Sequence, residues 1–334
     1  MSKPKILIIY TGGTIGMIKD PETGNLSNVD FNLITQHVPE IKRLNLELSS
    51  VSIQQPIDSA QITPEHWREI GDLLFANYNN YDGFVILHGT DTMAYTASAL
   101  SFMFKGLQKP VILTGSQLPI GVIRTDGKEN LITALEIAGN SDSPKEVAVY
   151  FDYMLLRGNR SNKDSAEHFE AFRSPNYPPL ATAGVHIEFQ KSFYLNNDEP
   201  LTYFDKLDEQ IVLIKLHPGM NWRFIDSLVT ADVRGIILES FGSGNGLLTD
   251  VVFTAFADFI KNGGVILNTT QCNSGAVNHN LYKAGEQFKA LGVIEGGDLT
   301  TEAAVTKMMH VLANYPQNEW GKLLAESIVG EMDA

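Results

Sequence analysis

The chain has 334 residues, 43% hydrophobic and 19% charged, enough apolar content for more than one core and unlike a disordered composition. Its 25 Lys and Arg against 39 Asp and Glu leave a net charge of −14, spread along the chain rather than gathered in a tail, which argues against nucleic acid as a partner. One cysteine, Cys272, excludes an internal disulfide, and no apolar run suits a signal peptide or approaches the ~20 residues of a membrane helix, so the reading is a cytoplasmic protein with no membrane partner.

In chain order, short runs of Ile, Leu and Val alternate with helical patterns. Residues 6–10 lead into Thr11-Gly-Gly-Thr14, residues 84–87 into His88-Gly-Thr-Asp-Thr92, and residues 111–113 into Thr114-Gly-Ser-Gln117. Runs without polar alternation read as strands buried on both faces of a parallel sheet. Between them, Thr63 and Pro64 start a helix as N-cap and first helical residue, and further helices are expected over 92–103 and 128–138. This alternation predicts a larger, doubly wound, mostly parallel α/β domain over residues 1–189, with its ligands beyond the carboxyl ends of the strands. Residues 190–210 carry few apolar faces and read as a linker. Strand runs at 211–216, 235–238 and 265–267 then predict a smaller α/β domain over 211–334.

Several chemistries lack their residues. The chain has no G-x-G-x-x-G, no P-loop and no G-x-S-x-G elbow, and its eight His show no metal-ligand spacing, so neither a cofactor nor a catalytic metal is expected. What stands out is a pair of threonine loops at the ends of two strands. A hydroxyl at such a place acts as a nucleophile when a neighbour accepts its proton, and flanking glycines let backbone N–H groups approach an oxyanion. Thr14 with Gly12 and Gly13 meets that need. Taken alone, the same glycines serve a tight turn, and Asp91 beside Thr90 serves a helix N-cap.

Together, Thr11-Gly-Gly-Thr-Ile-Gly16, His88-Gly-Thr-Asp-Thr92, Leu113-Thr-Gly-Ser-Gln-Leu-Pro119, Asp126-Gly-Lys-Glu-Asn130 and Arg157-Gly-Asn-Arg-Ser-Asn-Lys163 resemble the bacterial cytosolic L-asparaginases. The likeness continues through Ala171-Phe-Arg-Ser-Pro175, Ser240-Phe-Gly-Ser-Gly-Asn245 and Gly296-Gly-Asp-Leu-Thr300. The resemblance implies hydrolysis of L-asparagine, with Thr14 as nucleophile and Thr90, Asp91 and Lys163 handling protons. It implies substrate contacts at Asp58, Ser59, Gly13 and Gly89, with Ser116 toward the leaving amide. It implies a homodimer or homotetramer.

The sequence also departs from that pattern. Many relatives carry a Tyr in the mobile segment after the nucleophile, whereas residues 18–26 contain none, so another residue or a water must serve Thr14. Gly24 and the polar residues of that segment suit a lid. In the second domain, Glu239, Asn245, Thr270 and Cys272 fall where such enzymes hold regulatory asparagine. Glu239 stands in place of an Arg and would repel an α-carboxylate, and Cys272 reads as a small packing residue. The rival readings are a domain that senses an amino acid without turnover and an amidotransferase subunit that supplies ammonia.

Overall fold

The segment Lys-Ile-Leu-Ile-Ile-Tyr-Thr-Gly forms strand β1 (Lys5–Gly12), buried at every residue after Lys5. This comes from a computed structural model that describes residues 2–19, 26–28, 36–221, 232–246 and 249–333. A strand covered on both faces needs no polar alternation, hence the continuous aliphatic run. Strands β2 (Glu47–Ile57) and β3 (Gly83–Leu87) flank it, both parallel. Beyond β3 lie parallel β4 (Val111–Thr114) and β5 (Val147–Phe151). Antiparallel β6 (Met154–Arg157), β7 (Ala181–Ala183) and β8 (Ile187–Phe189) complete that side.

The order across the sheet is β8-β7-β6-β5-β4-β3-β1-β2. Chain direction across the sheet therefore reverses at β1, with β2 on one side and β3 on the other. In sheets of this kind the crevice at that reversal, beyond the carboxyl ends of the strands, is where ligands bind. The expected α/β fold with a mainly parallel sheet is what forms. Strand β2 was not among the expected strands: it lies at the edge, largely polar and half-exposed, and so lacks the aliphatic signal of its neighbours.

Helix α1 (Pro64–Asn77) begins as its sequence predicts, with Thr63 and His66 forming a reciprocal cap. Helix α2 (Met93–Met103) is buried at nearly every residue, and α3 (Gly127–Ala138) follows the loop after β4.

Two compact units divide the chain, Met1–Asp205 and Lys206–Ala334. Residues 190–205, most of the stretch read as a linker, fall within the first unit, where Phe193 and Tyr194 pack against its core and polar contacts add to the hold. The buried pair Arg157–Glu146, at 2.6 Å, accounts for much of this. Arg157 donates to Phe193 O, and Glu146 accepts from Leu195 N–H. Further along, Thr202–Tyr203 pairs with Phe104–Lys105, and the Tyr203 ring stacks on Phe75 and Phe104.

The second unit has a parallel sheet of β9 (Ile211–Lys215), β10 (Gly235–Ser240), β11 (Val265–Thr270) and β12 (Ile294–Glu295). Helices α4 (Asp250–Lys261) and α5 (Lys283–Leu291) cover one face, packing Val252, Phe256 and Phe288 on Ile236 and Leu238. Helices α6 (Thr301–Asn314) and α7 (Gln317–Ala325) cover the other, through Met308, Val311 and Trp320 against Ile237 and Leu267. Among the described residues no helix is long and apolar enough to cross a membrane.

Candidate active site

The two threonine loops leave β1 and β3, the adjacent strands at the reversal, and they touch. Thr11 Oγ1 donates to Leu87 O at 2.9 Å, tying the strand ends together. Gly13 has φ +83°, and a Cβ there would lie 2.3 Å from Gly89 N. Gly89 in turn lies against Ser59, whose Oγ would be 2.5 Å from a Cβ at position 89. Glycine is thus required at 13 twice over, by backbone conformation and by close approach. Thr14, next in sequence, is half-buried and opens a single 3-10 turn, Thr14–Gly16, closed by Gly16 N–H to Gly13 O at 3.1 Å.

Lys163 arrives from elsewhere in the chain. The turn Gly158–Arg160 packs tightly on α2, where a Cβ on Gly158 would sit 3.2 Å from Ala97 Cβ. The following short ribbon, Asn162–Lys163 paired with Phe172–Arg173, then carries the amine to the start of α2. Lys163 Nζ donates to Thr90 Oγ1 at 2.8 Å and to Asp91 Oδ1 at 2.6 Å. Its side chain is 18% exposed, and Thr90 is buried at 7%. Thr92 is the N-cap residue of α2 and no side chain makes a cap bond there, so Asp91 serves the lysine rather than the helix.

The second loop is braced from beneath by a histidine that the sequence reading assigned no part. His88 is fully buried, and burial pushes its pKa down to about 4. The neutral ring donates from Nδ1 to Gly89 O at 2.7 Å and accepts at Nε2 from Thr96 Oγ1 at 2.9 Å; Thr96 in turn accepts from Trp67 Nε1. Its only sequence signal was its place beside Gly-Thr-Asp.

Of the expected substrate contacts, Ser59, Gly13 and Gly89 come together. Asp58 is exposed, its Oδ1 accepting from Ala60 N–H at 3.1 Å. Ser116 is fully buried, its hydroxyl donated to Leu118 O. Gln117, not singled out from the sequence, faces the site: Thr90 Oγ1 donates to its Oε1 at 3.2 Å. The interior of the expected lid, residues 20–25, lies outside the described residues; its flanks, Met17–Lys19 and Leu26–Asn28, pair as an antiparallel ribbon.

Comparison with known proteins bears on the whole chain. The family model described as "Asparaginase, N-terminal" matches residues 5–194, and that described as "Glutaminase/Asparaginase C-terminal domain" matches residues 210–320. The chain belongs to the asparaginase family. It is 38% identical to L-asparaginase 1 of Escherichia coli K12 over 339 aligned residues, covering 99% of each chain. L-asparaginase I of Vibrio cholerae superposes with a TM-score of 0.90 at 38% identity, over 99% of this chain and 100% of that one. The thermostable L-asparaginase from Thermococcus kodakarensis superposes with a TM-score of 0.92 at 32% identity, over 99% of both chains.

Within this asparaginase, the residues weighed as regulatory lie at the carboxyl ends of β10 and β11 in the second unit. Glu239 is 6% exposed, accepts from the Thr301 hydroxyl and lies 3.4 Å from Lys215 Nζ. Thr270 Oγ1 donates to Gly242 O and accepts from Cys272 N–H, and Asn245 bridges to Phe241 through the backbone. Cys272 is exposed, which corrects its reading as a packing residue: the turn after β11 carries it out of the core. Among the described residues no group of three or more His, Cys, Asp and Glu is placed to hold a metal ion.

Proposed function

We propose that this protein hydrolyses the side-chain amide of L-asparagine to L-aspartate and ammonia through an acyl-enzyme on Thr14. The observation that carries this reading is the Lys163 amine within hydrogen-bond reach of both Thr90 Oγ1 and Asp91 Oδ1, on a loop packed against the glycine preceding Thr14. Full-length similarity to L-asparaginases of two bacteria and one archaeon supports the substrate.

Thr14 Oγ attacks the side-chain amide carbon, and backbone N–H groups beside Gly12 and Gly13 meet the oxyanion. As the C–N bond breaks, the proton given up by the Thr14 hydroxyl passes, through a neighbouring residue or a water, to the nitrogen, which leaves as ammonia. Water, deprotonated through Thr90 and Lys163 with Asp91 holding the resulting ammonium, cleaves the Thr14 ester to release aspartate. Ser59, Gly13 and Gly89 hold the α-carboxylate and α-amino end, with Asp58 as the nearby acidic acceptor. The resemblance to cytosolic relatives further supports a cytoplasmic homodimer or homotetramer, which sedimentation reads directly.

An ammonia-release assay over an asparagine series tests the reading. Thr14→Ala is expected to lower kcat by at least about 10³-fold, and Lys163→Met by about 10²- to 10⁴-fold, with the fold intact by circular dichroism. Wild-type turnover in Thr14→Ala refutes the nucleophile. Asparagine binding without ammonia release from the wild-type protein makes it a sensor instead.

A further inference from the structure

The segment Asp126-Gly-Lys-Glu-Asn130 takes no part in the steps above, yet it is wired to them. A hydroxyl has one hydrogen to give and two lone pairs. Lys163 Nζ occupies one lone pair of Thr90 Oγ1, and the hydrogen goes to Gln117 Oε1. The amide is itself oriented, because Nε2 donates to His168 O at 3.0 Å; reversing the amide would set its oxygen against that carbonyl oxygen. The Gln117 backbone is clamped too. Its N–H meets both Asp126 oxygens, at 3.1 and 2.9 Å, and Leu118 N–H meets Oδ1 at 3.1 Å. Asn130, 1% exposed, donates Nδ2 to Asp126 Oδ2 and to Gly115 O, and accepts from Asp152 N–H at 3.3 Å. Asp152 and Tyr153, at φ 46° and 66°, turn β5 into β6 through the left-handed region, a conformation that persists only where neighbours hold it.

We propose that Gln117 is a positioning residue that holds the Thr90 side chain beside Lys163, with Asp126 and Asn130 as the clamp that holds Gln117 in place. The proposal rests on the reading of Thr90 as part of the proton path. While Lys163 donates to it, Thr90 rests its hydrogen on Gln117 and stays within reach of Nζ; in the relay it turns that hydrogen to Nζ as it takes one from water on a lone pair. Without Gln117 the Thr90 side chain loses that anchor, swings away from Lys163, and the path is aligned only part of the time.

The test compares Gln117→Leu and Gln117→Glu with the wild type. Gln117→Leu is expected to lower kcat about 10- to 100-fold while KM stays within about 2-fold, since Thr90 is misaligned without loss of the substrate contacts. The acceptor restored in Gln117→Glu recovers part of kcat, which a purely structural role does not predict. Wild-type kcat in Gln117→Leu, or no recovery in Gln117→Glu, overturns the proposal. Should the wild-type protein prove inert toward asparagine, the proposed function fails, and crystal structures decide this inference. A rotated Thr90 side chain in Gln117→Leu, more than about 3.5 Å from Lys163 Nζ, supports it; an unmoved one refutes it.

Discussion

Gly13 shows how little room a single residue leaves at the site. Its φ of +83° and the 2.3 Å between a built Cβ and Gly89 N mean that alanine there meets backbone, which cannot swing aside as a flexible side chain does. Gly13→Ala is expected to cost at least about 2 kcal/mol of stability, since left-handed backbone alone costs about 1–2 kcal/mol for an L side chain. It also separates the Thr14 loop from the Thr90 loop. Urea unfolding reads the first effect and ammonia release the second; an unchanged midpoint rules out the close approach. The pair Ser116 and Gln117 teaches a different lesson. The resemblance pointed to Ser116 and passed over its neighbour, whereas the structure sets the Ser116 hydroxyl on Leu118 O and gives Gln117 the hydrogen bond from Thr90. Past the end of a strand the backbone sets side-chain direction by its hydrogen bonds, here to Asp126, and those partners are remote in sequence.

Helix α6 joins an apolar face to one buried charge. Ala304, Met308 and Val311 pack on Ile237 and Leu267 as helical spacing requires, but Lys307 is also fully buried, 2.7 Å from the equally buried Glu331. Its amine donates further to Leu324 O and Glu326 O, while Glu331 accepts from Ile328 and Val329 N–H. The helix thereby anchors residues 324–331 by polar bonds as well as by the apolar packing of Leu324 and Ile328. Lys307→Met strands the Glu331 charge and is expected to cost about 3–5 kcal/mol in denaturant unfolding. Adding Glu331→Gln, which still accepts from the backbone, is expected to recover a large part of that loss. A single variant as stable as wild type shows that the pair contributes nothing. Helical periodicity in the sequence reveals the apolar face but not the buried lysine, because a lone Lys ordinarily faces water.

Across the whole molecule, acid acts on both units through buried imidazoles. His88 in the first and His310 in the second are each pushed by burial down to about 4. Unfolded, each takes a proton near 6.5, so between about 6.5 and 4 the unfolded chain binds more protons than the folded one. The stability from keeping these rings neutral is complete above pH 6.5 and lost as pH falls toward 4, on the order of 3 kcal/mol per ring. The thermal midpoint is expected to fall steeply from pH 7 to 4.5, and less steeply in His310→Gln; equal slopes refute the assignment for His310. Most of the architecture was legible at this scale. The aliphatic runs marked β1, β3 and β4, helix α1 starts at its signal, and α2 and α3 start and stop within a residue of theirs. The polar edge strand β2 was not legible, since a half-exposed strand carries no aliphatic run, and the contacts of residues 190–205 were hidden because their partners are remote in sequence.

Local patterning therefore determined the class of fold, the loops that carry Thr14 and Thr90, and the family to which the chain belongs, because burial on both faces and glycine at tight turns constrain neighbouring residues directly. Only the tertiary structure decided that Lys163 lies 2.8 Å from Thr90 across 73 residues of chain, that His88 braces Gly89 and that Gln117 accepts from Thr90. Those are contacts between groups far apart in sequence. Their directions follow from hydrogen bonds that exist only once the strands have been ordered side by side.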